Sequence, residues 1–322
     1  MKNNTLTEIA AILKKAQRIL VFPHLNADGD AFGSSAALCS GLLKMGKDCR
    51  IVLEDSIPAN LRFLDRDFTI FYKDAKEAPD VAVCADCSDV ERFPKRKKLF
   101  YSAATTICID HHKATETIAD FNHIDSSSAA TAELIYLLLR ELGHVFDEKE
   151  AMAVYTGITT DTGNFLYSNT TARSHAIARE MMETGMDSNR VNVYVYESES
   201  LEKIKLQGQA VAGALSFADG KGILATVTQE DLKETGAHMA DTEGIVSTLR
   251  SIAGVEVAVL LKEHEKKVIK ASLRAKEYCD VQQIAVKYNG GGHVRAAGCT
   301  MNMTMEEAKK ILLAECEKVL ES

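Results

Sequence analysis

At 322 residues the chain is long enough for two domains with substantial cores, and 46% apolar with 26% charged residues excludes a disordered protein. A formal net charge of −8 excludes a broad electrostatic grip on long nucleic acid, though a few local cations could still hold a short nucleotide. The N-terminal stretch mixes charged and apolar residues, unlike a signal peptide, and no apolar run reaches the roughly 20 residues that span a bilayer. A cytoplasmic protein that makes no membrane contact is expected. Its eight scattered cysteines are expected as reduced thiols, including the Cys84-x2-Cys87 pair, which reads as two small buried residues at a strand end.

In chain order, residues 5–17 predict an amphipathic helix and Arg18–Pro23 a short buried strand. A Gly/Asp-rich turn follows, then a helix over 32–46. Short apolar runs at 50–53, 81–85 and 106–109 predict further strands covered on both faces, and 129–142, 148–160 and 171–185 predict helices. This alternation predicts an α/β fold with a parallel sheet. Residues 188–214 read as a helical linker between a domain over 1–187 and a smaller α/β domain over 215–322. In the latter, strands are expected at 222–228, 255–263 and 267–274, with a turn at 264–266, and a closing helix at 304–320.

The acidic residues that matter fall just after the apolar strands. Asp28 and Asp30 follow the first, Asp86 ends the run at 81–85, and Asp110 ends the run at 106–109. Ligands of open α/β sheets bind beyond the carboxyl ends of strands, so residues distant in sequence are expected at one sheet edge. His24, Asp28, Asp30, Asp86, His111 and Asp161 make a ligand set for two divalent metals: His24, Asp28 and Asp86 for one, Asp30, Asp86, His111 and Asp161 for the other. Two metals about 3.5–4 Å apart can activate water and neutralise charge on a phosphate ester, which points to phosphoester hydrolysis. The mixture of carboxylate and imidazole suits Mn2+, with Mg2+, Co2+ or Fe2+ open.

The second half of the site is expected in the C-terminal domain. Gly290, Gly291 and Gly292 could form a nest of consecutive amides for an anion, His293 adds a donor, and Arg274 ends a strand where its fork could hold phosphate oxygens. Arg295 reads equally as a phosphate ligand or a solvated charge.

These residues together resemble the DHH phosphoesterase family: His24 to Ser34, the Asp86 segment, Asp110-His111-His112, the Gly157 to Gly163 segment, and the GGGH run at 290–293 with its preceding Ser-Leu-Arg. The resemblance covers nearly the whole chain. Size and layout look like the nanoRNase/pAp phosphatase subgroup. That likeness implies a DHH catalytic domain joined to a DHH-associated domain, and Mn2+ as the metal. It implies short single-stranded RNA and 3′-phosphoadenosine 5′-phosphate as substrates. It also implies His112 as the residue that positions or protonates the reacting group, Asp110 as its orienter, and Arg274 with the GGGH run as the holder of a terminal phosphate or nucleotide. A domain that grips one end would restrict the metal site to short substrates. A linear or cyclic di-adenosine phosphodiesterase is the principal rival, with an inorganic pyrophosphatase and a non-catalytic nucleotide sensor behind it. The oligomeric state is open, a homodimer included.

Overall fold

Thr5 and Glu8 close a capping box that starts the first helix, α1 (Leu6–Lys15), and the chain then enters β1 (Arg18–Phe22). The computed structural model describes residues 3–75, 77–112 and 117–321. These divide into two compact units, Met1–Ser198 and Glu199–Ser322. The division falls within the stretch read as a linker: α7 (Ser188–Tyr196) belongs to the first unit and α8 (Leu201–Ala212) to the second.

After β1 the first unit continues through α2 (Gly29–Lys44), β2 (Asp48–Leu53), β3 (Thr69–Phe71), β4 (Val81–Ala85), α3 (Lys97–Phe100), β5 (Thr105–Asp110) and β6 (Phe121–Ile124). The helices α4 (Thr131–Glu141), α5 (Glu148–Asp161) and α6 (Ala172–Glu183) then lead to α7. All six strands pair in parallel, in the order β3-β2-β1-β4-β5-β6. Order therefore reverses between β1 and β4, and the crevice beyond their carboxyl ends is where such sheets bind ligands. Both faces of the sheet are covered. Ile19, Val21, Ile51, Val83 and Ile107 pack with α1, α2, α4 and α5, while Leu20, Phe22, Val52 and Cys84 pack against Phe93 and Phe100. Burial on both sides explains why these strands read as unbroken apolar runs rather than alternating ones.

The second unit carries α8, β7 (Leu215–Phe217), β8 (Gly222–Val227), α9 (Gln229–Thr235), α10 (Ile245–Ser251), β9 (Val257–Glu265) and β10 (Val268–Ala275). It ends with α11 (Gln282–Lys287), β11 (Gly291–His293), β12 (Ala296–Met301) and α12 (Met305–Glu321). Its sheet runs β11-β12-β10-β9-β8-β7, antiparallel except for the parallel β8–β9 pair. One face packs on α11 and α12 through Val259, Leu261, Ala271 and Leu273. The other packs on α8 and α10 through Ile223, Ala225, Ala258 and Leu260, with α10 reaching β10 as well as β8 and β9. The β9–β10 turn lies at Lys266-Lys267, with Lys267 at φ +67°, rather than at 264–266, because β9 runs on through Glu265.

Among the described residues no helix is long and apolar enough to cross a membrane. All eight cysteines are free and buried.

Candidate metal centre

Asp28 and Asp30 do not share a flexible turn, as their Gly/Asp-rich surroundings suggest. Asp28 is the N-cap of α2, its Oδ1 accepting from the amides of Asp30 (3.1 Å) and Ala31 (2.9 Å), and Asp30 lies within the first turn. The cap extends the helix three residues earlier than periodicity predicts and fixes both carboxylates relative to β1. Asp30 is fully buried and serves a second helix. Its Oδ2 accepts from the Thr131 amide at 2.6 Å and its Oδ1 from the Ala132 amide at 2.8 Å. The first turn of α4 lacks a side-chain cap of its own, so Asp30 fills that place and meets the positive end of the helix.

Asp86 follows β4 directly and adopts φ +58°, a left-handed conformation that a non-glycine residue holds only at a cost. The Asp86 amide donates to the Ile109 carbonyl at 3.0 Å and its Oδ1 accepts from Thr131 Oγ1 at 2.8 Å, which together hold the turn. The two carboxylate oxygens then face different imidazoles. Oδ2 lies 3.7 Å from His24 Nε2, and Oδ1 lies 3.6 Å from His111 Nε2. His24 Nε2 is also 3.6 Å from Asp28 Oδ2. His111 Nε2 is 3.9 Å from Asp30 Oδ2 and 2.9 Å from Asp161 Oδ2, Asp161 being the last residue of α5.

Two donor clusters result, His24–Asp28–Asp86 and Asp30–His111–Asp161, with Asp86 also grouped with Asp110, His111 and His112. Both ring nitrogens at the centre, His24 Nε2 and His111 Nε2, are buried and lack a hydrogen-bond partner among the described residues. The short approach of Asp161 to His111 is thus off the hydrogen-bond line. On the far side of each ring, His24 Nδ1 lies 2.8 Å from the Leu25 carbonyl and His111 Nδ1 3.3 Å from the Ser128 carbonyl. A carbonyl partner requires Nδ1–H, which leaves the Nε2 lone pair for a metal. Separations of 3.6–3.9 Å fit ligands that share a cation, since bonds of about 2.1 Å allow at most about 4.2 Å between donors.

The protonation balance fits as well. Burial raises the Asp30 carboxyl well above the usual range, with the charges of Asp86, Asp161 and Asp28 adding to it, and Asp86 is raised chiefly by burial. Asp28, half-exposed, goes the other way: burial opposes its charge, but the His24 ring and the Ala31 amide outweigh that and hold it at about 2. A divalent cation would relieve the crowding of negative charge. The residues could therefore hold divalent metal.

His112 has a different setting. Its Nδ1 lies 2.7 Å from Asp110 Oδ1, which also accepts the His112 amide at 2.9 Å, and 3.5 Å from Asp86 Oδ1. Burial alone would lower its pKa, but Asp110 and Asp86 push it up to about 11. Asp110, the last residue of β5, is itself fully buried. Cys84 and Cys87, beside Asp86, donate to the carbonyls of Cys87 and Asp89, and burial pushes the Cys84 thiol well up.

Arg274, Gly290, Gly291, Gly292 and His293 all lie in the second unit. Arg274 is half-buried on β10, with Nη1 donating to the Leu273 carbonyl at 3.0 Å. Gly291–His293 form the exposed edge strand β11, rather than the concave nest that three glycines suggest. An extended strand sends alternate amides to opposite sides. The glycines answer to close packing: a Cβ on Gly290 would lie 2.2 Å from the Gly298 carbonyl oxygen. Register pairs Arg274 with Ala296 and Ala296 with His293, so Arg274 and His293 share one face, two strands apart. Arg295 Nη1 donates to the Lys276 carbonyl at 2.7 Å.

Thr131 and Gly157 have structural roles that motif reading missed. Thr131 links Asp30 and Asp86, and a Cβ on Gly157 would lie 2.7 Å from Asp30 Oδ1 and 2.5 Å from Ala132 Cβ. The only sequence signal for Thr131 is a small polar residue opening an uncapped helix, too common to be informative alone.

A parallel sheet whose switch point gathers buried carboxylates and imidazoles in this way is the frame of a metal-assisted phosphoester hydrolase. Residues 18–158 match the DHH family, N-terminal domain, and residues 219–322 match the DHHA1 domain. The chain is 33% identical to the bifunctional oligoribonuclease and PAP phosphatase NrnA of Thermus thermophilus over 295 residues, 91% of this chain and 87% of that protein. It is 28% identical to the protein of the same name from Bacillus subtilis, over 95% and 96% of the two chains. Among solved structures, an exopolyphosphatase-related protein from Bacteroides fragilis superposes with a TM-score of 0.91 at 26% identity, covering 98% of this chain and 97% of that one. The chain belongs to the DHH family. It is a hydrolase that acts on phosphoester bonds.

Proposed function

We propose that this chain hydrolyses short oligoribonucleotides and removes the 3′-phosphate of 3′-phosphoadenosine 5′-phosphate, using two divalent cations, Mn2+ for preference, held around Asp86. The observation that carries the reading is the Asp86 carboxylate, with one oxygen toward His24 and the other toward His111. His24 and Asp28 complete one ligand group, and Asp30, His111 and Asp161 the other. When bound, such cations supply an activated water and neutralise charge on the phosphate. The oligonucleotide and 3′-phosphoadenosine 5′-phosphate specificity is carried over from the relatives' names.

The chain's own residues do the rest. The α4 amides orient Asp30 and oppose, without overcoming, the rise that burial and the neighbouring carboxylates impose on its carboxyl. Asp110 keeps the proton on His112 Nδ1 and fixes the ring, so Nε2 is the atom that gives or guides a proton at the leaving oxygen. Arg274, with Gly290–His293, binds a terminal phosphate or nucleotide. A cytoplasmic setting belongs to the same proposal, in keeping with eight buried free thiols.

The test is a substrate panel with Mn2+ and mass-spectrometric identification of products. It should include dinucleotides, five-unit RNA, 3′-phosphoadenosine 5′-phosphate, linear and cyclic di-adenosine substrates, and pyrophosphate. Turnover concentrated on dinucleotides, five-unit RNA and 3′-phosphoadenosine 5′-phosphate is expected, and preference for pyrophosphate or cyclic substrates would overturn the proposal.

A further inference from the structure

Lys262 on β9 and Lys270 on β10 stand directly opposite each other in an antiparallel pair. Like charges in that position repel and destabilise a sheet, so the pairing has a cost that packing does not explain. Neither ammonium group has a carboxylate within ion-pair distance among the described residues. Residues two apart on a strand share a face, so Lys270, Ser272 and Arg274 form one row, and Lys262 joins it through its pairing with Lys270.

That face is the one α8 and α10 cover over β8 and β9, with α10 reaching β10 as well. Along β10 the row is open at Lys270, which is exposed, while Ser272 and Arg274 are half-buried, and the facing β12 positions Ala296, Gly298 and Thr300 are small. The cations act on one another. Burial lowers the Lys262 pKa, and the charges of Lys270 and Arg274 lower it further, with Glu243 the acid that opposes them. Positive potential is therefore concentrated along β10 in a chain whose net charge is −8.

Resting on the oligonucleotide reading above, we propose that Lys262 and Lys270 extend the Arg274 site into a phosphate track that holds the backbone of an oligonucleotide of three or more units. Successive positions on the row are about 7 Å apart, so Lys270 and Arg274 stand about 14 Å from one another along the strand. An extended single strand offers phosphates at comparable intervals. A dinucleotide without terminal phosphates has a single phosphate and engages Arg274 alone. A pentanucleotide reaches the lysines as well. The track sets length preference, and its occupant is the sugar-phosphate backbone, not a base.

The experiment is equilibrium binding to the full chain in EDTA, which removes hydrolysis and any metal contribution, with fluorescently labelled dinucleotide and pentanucleotide probes over a range of salt. In the K262Q/K270Q variant the pentanucleotide should bind roughly 10-fold more weakly at low salt, and its log–log salt slope should flatten by about 1.4, at about 0.7 per lost contact. Dinucleotide affinity should be unchanged. Unaltered pentanucleotide affinity and slope, or equal weakening of both probes, would overturn the track. A parent chain that binds neither probe, together with no turnover of oligonucleotides in Mn2+, would overturn the oligonucleotide reading itself.

Discussion

Asp30 and Thr131, 101 residues apart, are joined by a 2.6 Å hydrogen bond from the Thr131 amide to the Asp30 carboxylate, so one residue is both a candidate metal ligand and the missing cap of α4. The arrangement works because α5 crosses close by at Gly157. Replacing Gly157 with Ala puts a methyl group 2.7 Å from Asp30 Oδ1. Neighbours must shift, at a cost of roughly 1–3 kcal/mol. Thermal denaturation should show a lowered midpoint, and Mn2+ titration a weakened affinity. Unchanged values for both would refute the close approach.

Metal binding should release protons. Asp30 is raised well above 3.8 by burial and by its neighbours, and His24 and His111 are raised above 6.5 because their carboxylate partners outweigh burial. A carboxyl with a raised folded pKa contributes stability below 3.8 that is lost as pH rises through the folded value. A cation that replaces the proton restores it. Calorimetric titration in buffers of different ionisation enthalpy should therefore report proton release, and Mn2+ should raise the thermal midpoint more at pH 8 than at pH 5. A shift independent of pH would contradict this assignment.

Asp110→Asn should move the alkaline limb of the pH–rate profile downward. Asp110 and Asp86 overcome burial to hold His112 at about 11, so its proton is retained below that value and lost above it. Without the Asp110 charge the loss begins earlier. A fall of roughly 10–100-fold in kcat is expected near neutral pH, the usual cost of losing such an orienting partner. An unshifted alkaline limb in Asp110→Asn would refute the orienting role.

The parallel sheet of the first unit was legible because strands buried on both faces leave unbroken apolar runs, and the site because Asp86 and Asp110 follow two of those runs directly. The start of α2 was not, since Asp28 caps it from a segment whose composition suggests a turn. β3, β6, β7, β11 and β12 went unread. Three are only three residues long, and Ala296–Met301 is built from small residues with little strand signature. Periodicity cannot register a left-handed Asp86, nor the helix end that Asp30 caps from 101 residues away. Those depend on tertiary contacts, and they are what aims the ligands.

The central claim is that Asp86 serves both metal groups. Titration of Mn2+ into the metal-free chain, by calorimetry with elemental analysis, tests it most directly. The parent should bind two ions per chain, while Asp86→Asn should lose at least one and weaken the other, with hydrolysis abolished. An Asp86→Asn variant that still binds two ions at parental affinity, with near-normal turnover, would contradict the account.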